Sequence, residues 1–201
     1  MTEKEIAFMM ESFIKEKGAD ISFETIVAIE ENAAFIHHKT GQKKLAENNI
    51  ILIDFGVMYN NYCSDMTRTI MFGKPSLEQK KVHDTVRIAQ KKSIEYIEGQ
   101  LEKSSKIKAS MIDHPARVYV QDNGFPDFPH SSHGIGLEVH EAPSLSPRSK
   151  EIIEDGMAFS IEPGIYLVDK FGVRIEDIFA IQNGKLVPLT RAPKELIELK
   201  T

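Results

Sequence analysis

Four acids in this chain form two matched pairs. Asp54 closes the run Ile51-Leu52-Ile53-Asp54-Phe55-Gly56, and Asp65 follows eleven residues later in Cys63-Ser64-Asp65-Met66-Thr67-Arg68-Thr69. Glu162 closes Phe159-Ser160-Ile161-Glu162-Pro163-Gly164, and Glu176 follows fourteen residues later in Val173-Arg174-Ile175-Glu176-Asp177. Each half reads as an apolar strand, an acid, any residue, a glycine, a turn, a returning strand and a second acid. Asn60-Asn61 marks the first turn, and Asp169-Lys170-Phe171-Gly172 the second. Folded as antiparallel hairpins, both segments are expected to place their two acids roughly opposite each other. Four carboxylates flanked by Ile, Leu, Val and Phe would repel one another and lose hydration if buried. Divalent cations are the simplest compensation.

A second segment adds nitrogen donors. His133-Gly134-Ile135-Gly136-Leu137-Glu138-Val139-His140-Glu141 carries two histidines seven residues apart. Simple strand alternation does not put them on one face. The expectation is that one binds metal while the other, displaced along the strand, reaches a substrate. One imidazole beside four carboxylates makes a five-ligand set of mixed nitrogen and oxygen donors. Such a set suits Mn, Fe, Co or Zn better than Ca or Mg. Metals at sites of this kind activate a water and polarise a carbonyl.

The rest of the chain must position these groups. Its 201 residues suit one domain, and at 41% hydrophobic it can build a core. The 25 basic and 30 acidic residues are mixed along the chain, for a net charge of −5, with no basic stripe that would suggest nucleic acid. The apolar runs are too short to span a membrane, and the first residues lack the apolar stretch of a signal peptide. Cys63 is the only cysteine, which fits a reducing, cytoplasmic setting and reads as a strand thiol.

The periodicity predicts an amphipathic helix over 3–17, opened by a Thr2/Glu5 capping box and ended by Gly18. Strands are predicted over about 22–30, 50–57 and 62–71, with a loop over 31–49 that carries His37 and His38. A long helix is predicted over 76–98 and a second between Asp113 and Gly124, with Pro115 tolerated in its first turn. Strands around 134–140, 158–168 and 173–182 follow, then a short strand or turn near 186–189. The two halves read as an internal duplication of a helix-helix-strand-hairpin unit in which the first half lacks its opening helix.

These segments, taken together and in order, resemble the pita-bread metallopeptidases, in particular the Xaa-Pro branch of prolidase and aminopeptidase P. The likeness runs from about residue 2 to residue 185 and rests on the Asp54, Asp65, His133–Glu141, Glu162–Tyr166 and Gly172–Asp177 motifs. It implies an α+β pita-bread fold with a pseudo-twofold repeat around a curved antiparallel sheet, forming a single catalytic domain over 1–201. It also implies two divalent metal ions. Asp54 would chelate the first, Asp65 and Glu176 would bridge both, and His133 and Glu162 would complete the second. Glu162 would also act as general base.

Asn32-Ala33-Ala34-Phe35-Ile36-His37 matches the family's Asn-x-Ala-x-x-His pattern, which would place His37 near the scissile amide. His140 would hydrogen-bond the carbonyl oxygen as charge develops on it. Arg174 matches an arginine that supports the ligand strand or the substrate. Arg148 lies at the distance before Glu162 where prolidases carry an arginine for the carboxylate of a dipeptide.

The chain also departs from the pattern. Ser132 precedes His133 where the family has glycine, and His130 stands three residues before it rather than four. Ala28-Ile29-Glu30-Glu31 replaces the usual Ser-Gly before Asn32, and the N-terminal domain of full-length members is absent. The exposed surface could be covered by a second copy in a homodimer or by a partner chain. Other histidines, His38, His83 and His114, read as surface or helix residues. Tyr59 and Tyr62 read as hairpin packing, and Tyr166 as core or pocket lining. The expected activity is cleavage of a peptide bond that precedes a proline in the second position, without nucleic acid or membrane partners. The alternative is a non-catalytic pita-bread domain that binds peptides or proteins. Val139 and the Cys63-Ser64-Asp65 segment favour the Xaa-Pro branch over methionine aminopeptidase.

Overall fold

A computed structural model describes residues 1–200. The first half contains α1 (Glu3–Glu16), β1 (Asp20–Ile21), β2 (Ile26–Ile29), a 3-10 turn over Glu30–Ala34, β3 (Asn49–Phe55), β4 (Val57–Tyr59), β5 (Tyr62–Cys63) and β6 (Met66–Phe72). The second half opens with α2 (Leu77–Glu102), β7 (Ile107–Lys108), a 3-10 turn over Ala109–Met111 and α3 (His114–Asp122). It continues through β8 (His133–Gly134), β9 (Glu141–Ser144), β10 (Ile152–Ile153), β11 (Ala158–Ile161), β12 (Gly164–Leu167), β13 (Phe171–Arg174), β14 (Asp177–Gln182), β15 (Lys185–Pro188) and β16 (Glu198–Leu199).

The strands pair into a four-stranded sheet in the order β16-β6-β3-β2 and a five-stranded sheet in the order β15-β14-β11-β8-β9. Smaller hairpins, including β12-β13 and β4-β5, extend from them. All the pairings are antiparallel except β16 on β6. No helix among the described residues is long and apolar enough to cross a membrane.

Local chemistry accounts for the helices. Thr2 Oγ1 accepts from the Glu5 backbone N–H and Glu5 Oε2 accepts from that of Thr2, so the predicted capping box is present. Ser76 and Gln79 cap α2 in the same way. This helix runs to Glu102, beyond the predicted end at 98, because Gly99 continues it rather than terminating it. The expected helix between Asp113 and Gly124 is present as His114–Asp122, and the stretch before it forms β7 and a 3-10 turn.

Helix α2 joins the two halves. Val82, Val86 and Ala89 pack with Ile50 and Met71 of the four-stranded sheet and with Val173 and Ile175. One end of the same helix supplies Ile97 to a second cluster with Ile112, Phe159, Ile161 and Phe179 under the five-stranded sheet. Each fully buried Val, Ile, Met or Phe side chain among these contributes roughly 1.5–3 kcal/mol.

The predicted strands are broken where the acids lie. The 158–168 strand divides at Glu162-Pro163, the 173–182 strand at Ile175-Glu176, and the 62–71 strand at Ser64-Asp65. Residues 135–140 form no strand, and only Ile26–Ile29 of the 22–30 segment does.

Arg68 fastens the two sheets together from behind. Its guanidinium donates to the carbonyls of Thr67, Glu176, Ala192 and Pro193 and to Asp177 Oδ1 at 2.5 Å, which uses all five N–H donors. Asp177 is fully buried and also accepts from Gln90 and Lys194. An Arg68→Ala variant should therefore lose about 3–5 kcal/mol of unfolding free energy, the cost of leaving a buried partner charge undercompensated. Urea denaturation of the folded protein measures that loss.

Candidate metal centre

Each donor reaches the centre by a definable route. Asp54 lies in β3, opposite Thr67 of β6. Asp65 lies two residues before Thr67, so the first pair of acids is diagonal rather than opposite. The Tyr59–Tyr62 rung fixes this register, and strand alternation keeps both acids on one side. In the second half Gly164 faces Arg174 and Ile161 faces Asp177, so Glu162 and Glu176 face each other between these rungs, as expected.

Histidine 133 comes from β8, which pairs with β11 at Gly134–Phe159. A side chain at Gly134 would run into the backbone of Ala142, so glycine lets β9 close on β8. The His133 Nδ1–H donates to the Gly134 carbonyl at 3.1 Å. That fixes the tautomer and leaves Nε2 as the bare donor atom. Nε2 lies 3.4 Å from Glu162 Oε1, 3.7 Å from Asp65 Oδ2 and 3.8 Å from Glu176 Oε1. Asp65, His133 and Glu176 each offer a ligand atom within 4.8 Å of the others.

A metal fits these residues. Asp54 Oδ1, Asp65 Oδ1 and Glu176 Oε1 are buried with no hydrogen-bond partner. Three orphaned carboxylate oxygens beside one unprotonated imidazole nitrogen form a donor set that a divalent cation satisfies and a hydrogen-bond network does not. The protonation equilibria agree. Burial, followed by the charges of Glu176, Asp54 and Glu162, pushes Asp65 up to about 11. Burial pushes Glu162 up to about 8 and carries Glu176 well above the carboxylate range. Burial also pushes His133 down to about 4. Without a cation, protons hold the place of positive charge.

The remaining bonds of these acids aim them. Ser160 Oγ donates to Glu162 Oε1 at 2.9 Å and accepts from the His133 N–H. Thr67 Oγ1 donates to Glu176 Oε2 at 2.7 Å. Arg174 is buried, with Nη2 on Asp54 Oδ2 at 2.5 Å, Nε on Thr67 Oγ1 and Nη1 on the Tyr166 hydroxyl. Its guanidinium thus supports the ligand strands, the first of the two roles expected of it, and it also forms part of the cleft lining.

The donors sit at the base of a cleft of about 700 Å³. Exposed His37 and His140 both line it. The His140 ring stands edge-on to His133 with centroids 4.2 Å apart, closer than displacement along a strand would allow, because 135–140 turns back instead of extending. Arg148 is exposed and lies outside the cleft lining, so the structure does not bring it to the donors.

His130 escaped the sequence reading as a site residue. Its Nδ1 lies 3.3 Å from Glu162 Oε2 and its Nε2 is 2.8 Å from the Tyr166 hydroxyl, while burial pushes it down to about 3. Tyr166 is likewise part of this network. By contrast, Tyr59 and Tyr62 are exposed rather than packed.

Comparison with known proteins identifies the family and the fold. Residues 1–183 match metallopeptidase family M24. An uncharacterized peptidase of Staphylococcus haemolyticus is 41% identical over 188 residues, covering 92% of this chain and 52% of that protein. A prolidase from Thermococcus sibiricus superposes with a TM-score of 0.92 at 44% identity, covering 98% of this chain and 53% of that one. An X-Pro aminopeptidase from Thermotoga maritima superposes with a TM-score of 0.92 at 38% identity, covering 99% and 56%. The chain belongs to metallopeptidase family M24 and has its α+β pita-bread fold. It spans about half the length of the relatives it matches.

Two outcomes follow from the raised carboxyl pKa values. Groups whose folded pKa exceeds the unfolded value stabilise the fold at low pH and lose that contribution as pH rises. The depressed histidines have given their full contribution above about pH 7, where they are neutral in both states. Chelated protein should therefore lose thermal stability as the pH rises from about 7 through 8 and on toward 11, and a divalent cation should restore it. Cation binding at pH 7 should also release protons, read by titration calorimetry in buffers of different ionisation enthalpy.

Proposed function

We propose that this chain is the catalytic domain of a dinuclear metal-dependent exopeptidase that hydrolyses the bond between an N-terminal residue and a following proline. The observation that carries the reading is the cleft floor, where five donors converge with three buried carboxylate oxygens left unpaired. The prolidase and X-Pro aminopeptidase likeness supports the choice of substrate. In this reading Asp54 would hold one cation, His133 and Glu162 would hold a second, and Asp65 and Glu176 would serve both. The ions, Mn, Co, Zn or Fe by donor chemistry, supply Lewis acidity to the peptide carbonyl and to the attacking water.

The side chains do the rest. Glu162, steadied by Ser160, takes a proton from the water whose oxygen bonds to the carbonyl carbon. That proton passes to the proline nitrogen as the carbon–nitrogen bond breaks. His140, exposed beside His133, hydrogen-bonds the oxygen on which negative charge develops. His37 lines the same cleft beside the scissile amide. A cleft of about 700 Å³ holds a short peptide and not a folded chain.

The test is hydrolysis of an Xaa-Pro dipeptide and an Xaa-Pro-Xaa tripeptide after chelation and reloading with Mn or Co. Metal-dependent release of the first residue is expected, and a loaded protein that cleaves neither peptide would overturn the proposal. His140→Ala should lower kcat by about 100-fold or more with metal content unchanged, as for other oxyanion donors. Asp65→Asn should lower the metal content of both positions, measured by elemental analysis.

A further inference from the structure

Glu3 is a buried acid that the proposed chemistry does not use. It lies in the first turn of α1 and is fully buried. Its carboxylate collects four hydrogen bonds, all from one stretch of chain. Oε1 accepts from the Ile29 N–H at 2.9 Å and from Asn32 Nδ2 at 2.8 Å. Oε2 accepts from the Gly41 N–H and from His38 Nε2, both at 2.9 Å. Burial works to raise its pKa, and the bonds from Asn32, His38, Ile29 and Gly41 outweigh that and leave it lowered. Ile36 to Thr40, inside the span these donors bracket, form one wall of the cleft, and His37 is among them.

The span holds little regular structure beyond the 3-10 turn, so few backbone bonds of its own fix its shape. We propose that Glu3 is a positioning residue: a clasp on helix α1 that holds the 30–41 loop as a wall of the cleft and thereby sets where His37 stands. The Ile29 and Gly41 backbone N–H groups, one on each oxygen, can only donate, so only an ionised carboxylate satisfies both. A glutamine amide would turn its NH2 toward one of them and leave that donor buried and unpaired. The catalytic part of this assignment rests on the peptidase reading above.

The experiment compares wild type with Glu3→Gln, and with Asn32→Ala, which removes one donor and leaves the acid in place. Metal content, kcat and KM on an Xaa-Pro dipeptide, and amide hydrogen exchange across the chain are measured for each. Glu3→Gln should keep full metal content, speed exchange selectively in 30–41 and lower kcat at least tenfold, with KM changed less than threefold. Asn32→Ala should move both readouts the same way by a smaller factor, about threefold in kcat, and it decides the matter if Glu3→Gln does not fold. Unchanged exchange in 30–41, or a general loss of protection with kcat of the folded fraction intact, would overturn the clasp. A wild-type protein that turns over no Xaa-Pro peptide would sink the peptidase reading instead, and the exchange pattern would still decide whether Glu3 holds the loop.

Discussion

Repulsion among buried carboxylates governs this structure. Asp54, Asp65, Glu162 and Glu176 are each at most 9% exposed, and the last three lie within 4 Å of one imidazole nitrogen. No ordinary packing argument favours that arrangement, since each acid gives up hydration and gains like-charged neighbours. The fold supports it from outside with Arg174 on Asp54, Thr67 on Glu176 and Ser160 on Glu162. These bonds consume one oxygen of each of the three acids and leave others bare toward the centre. The surrounding groups therefore aim the donors, and of the three only Arg174, on Asp54, brings a compensating charge. A site built this way gains more from a cation than from any side chain that could be added.

The second constraint is the seam between halves. Thr67 and Thr69 of β6 bond across to residues 174–176, while Arg68 between them points the other way and grips the backbone behind. Strand alternation alone produces this division of labour. One face of β6 orders the acids and the opposite face ties Ala192 and Pro193 to the sheet. Burial of α2 across both sheets then holds the halves at a fixed separation.

Much of this was legible in the sequence, for physical reasons that differ by element. The capping box at Thr2 is a local signal and its helix starts where it predicts, while Ser76, the expected first residue of the long helix, is its N-cap. The four acids and His133 were legible because buried acids in apolar strands need compensation wherever they occur. The diagonal offset of Asp54 and Asp65 was not legible, because register depends on how the Asn60-Asn61 turn closes. His130 was hidden because its spacing from His133 differs from the family's, and only tertiary packing brings it to Glu162. Arg148 was placed by counting residues through a loop, and loop length sets chain separation without fixing position. Glu3 gave no signal at all, since an acid in the first turn of a helix looks like an ordinary dipole partner.

The donors also impose an order of events on the growing polypeptide. They are spread from residue 54 to residue 176, with the Arg68 ties reaching Pro193. A nascent chain that has emerged only through α3 carries two of the five. Ion capture therefore belongs to the last stage of maturation, after non-local strand pairing, which is the slow part of such topologies.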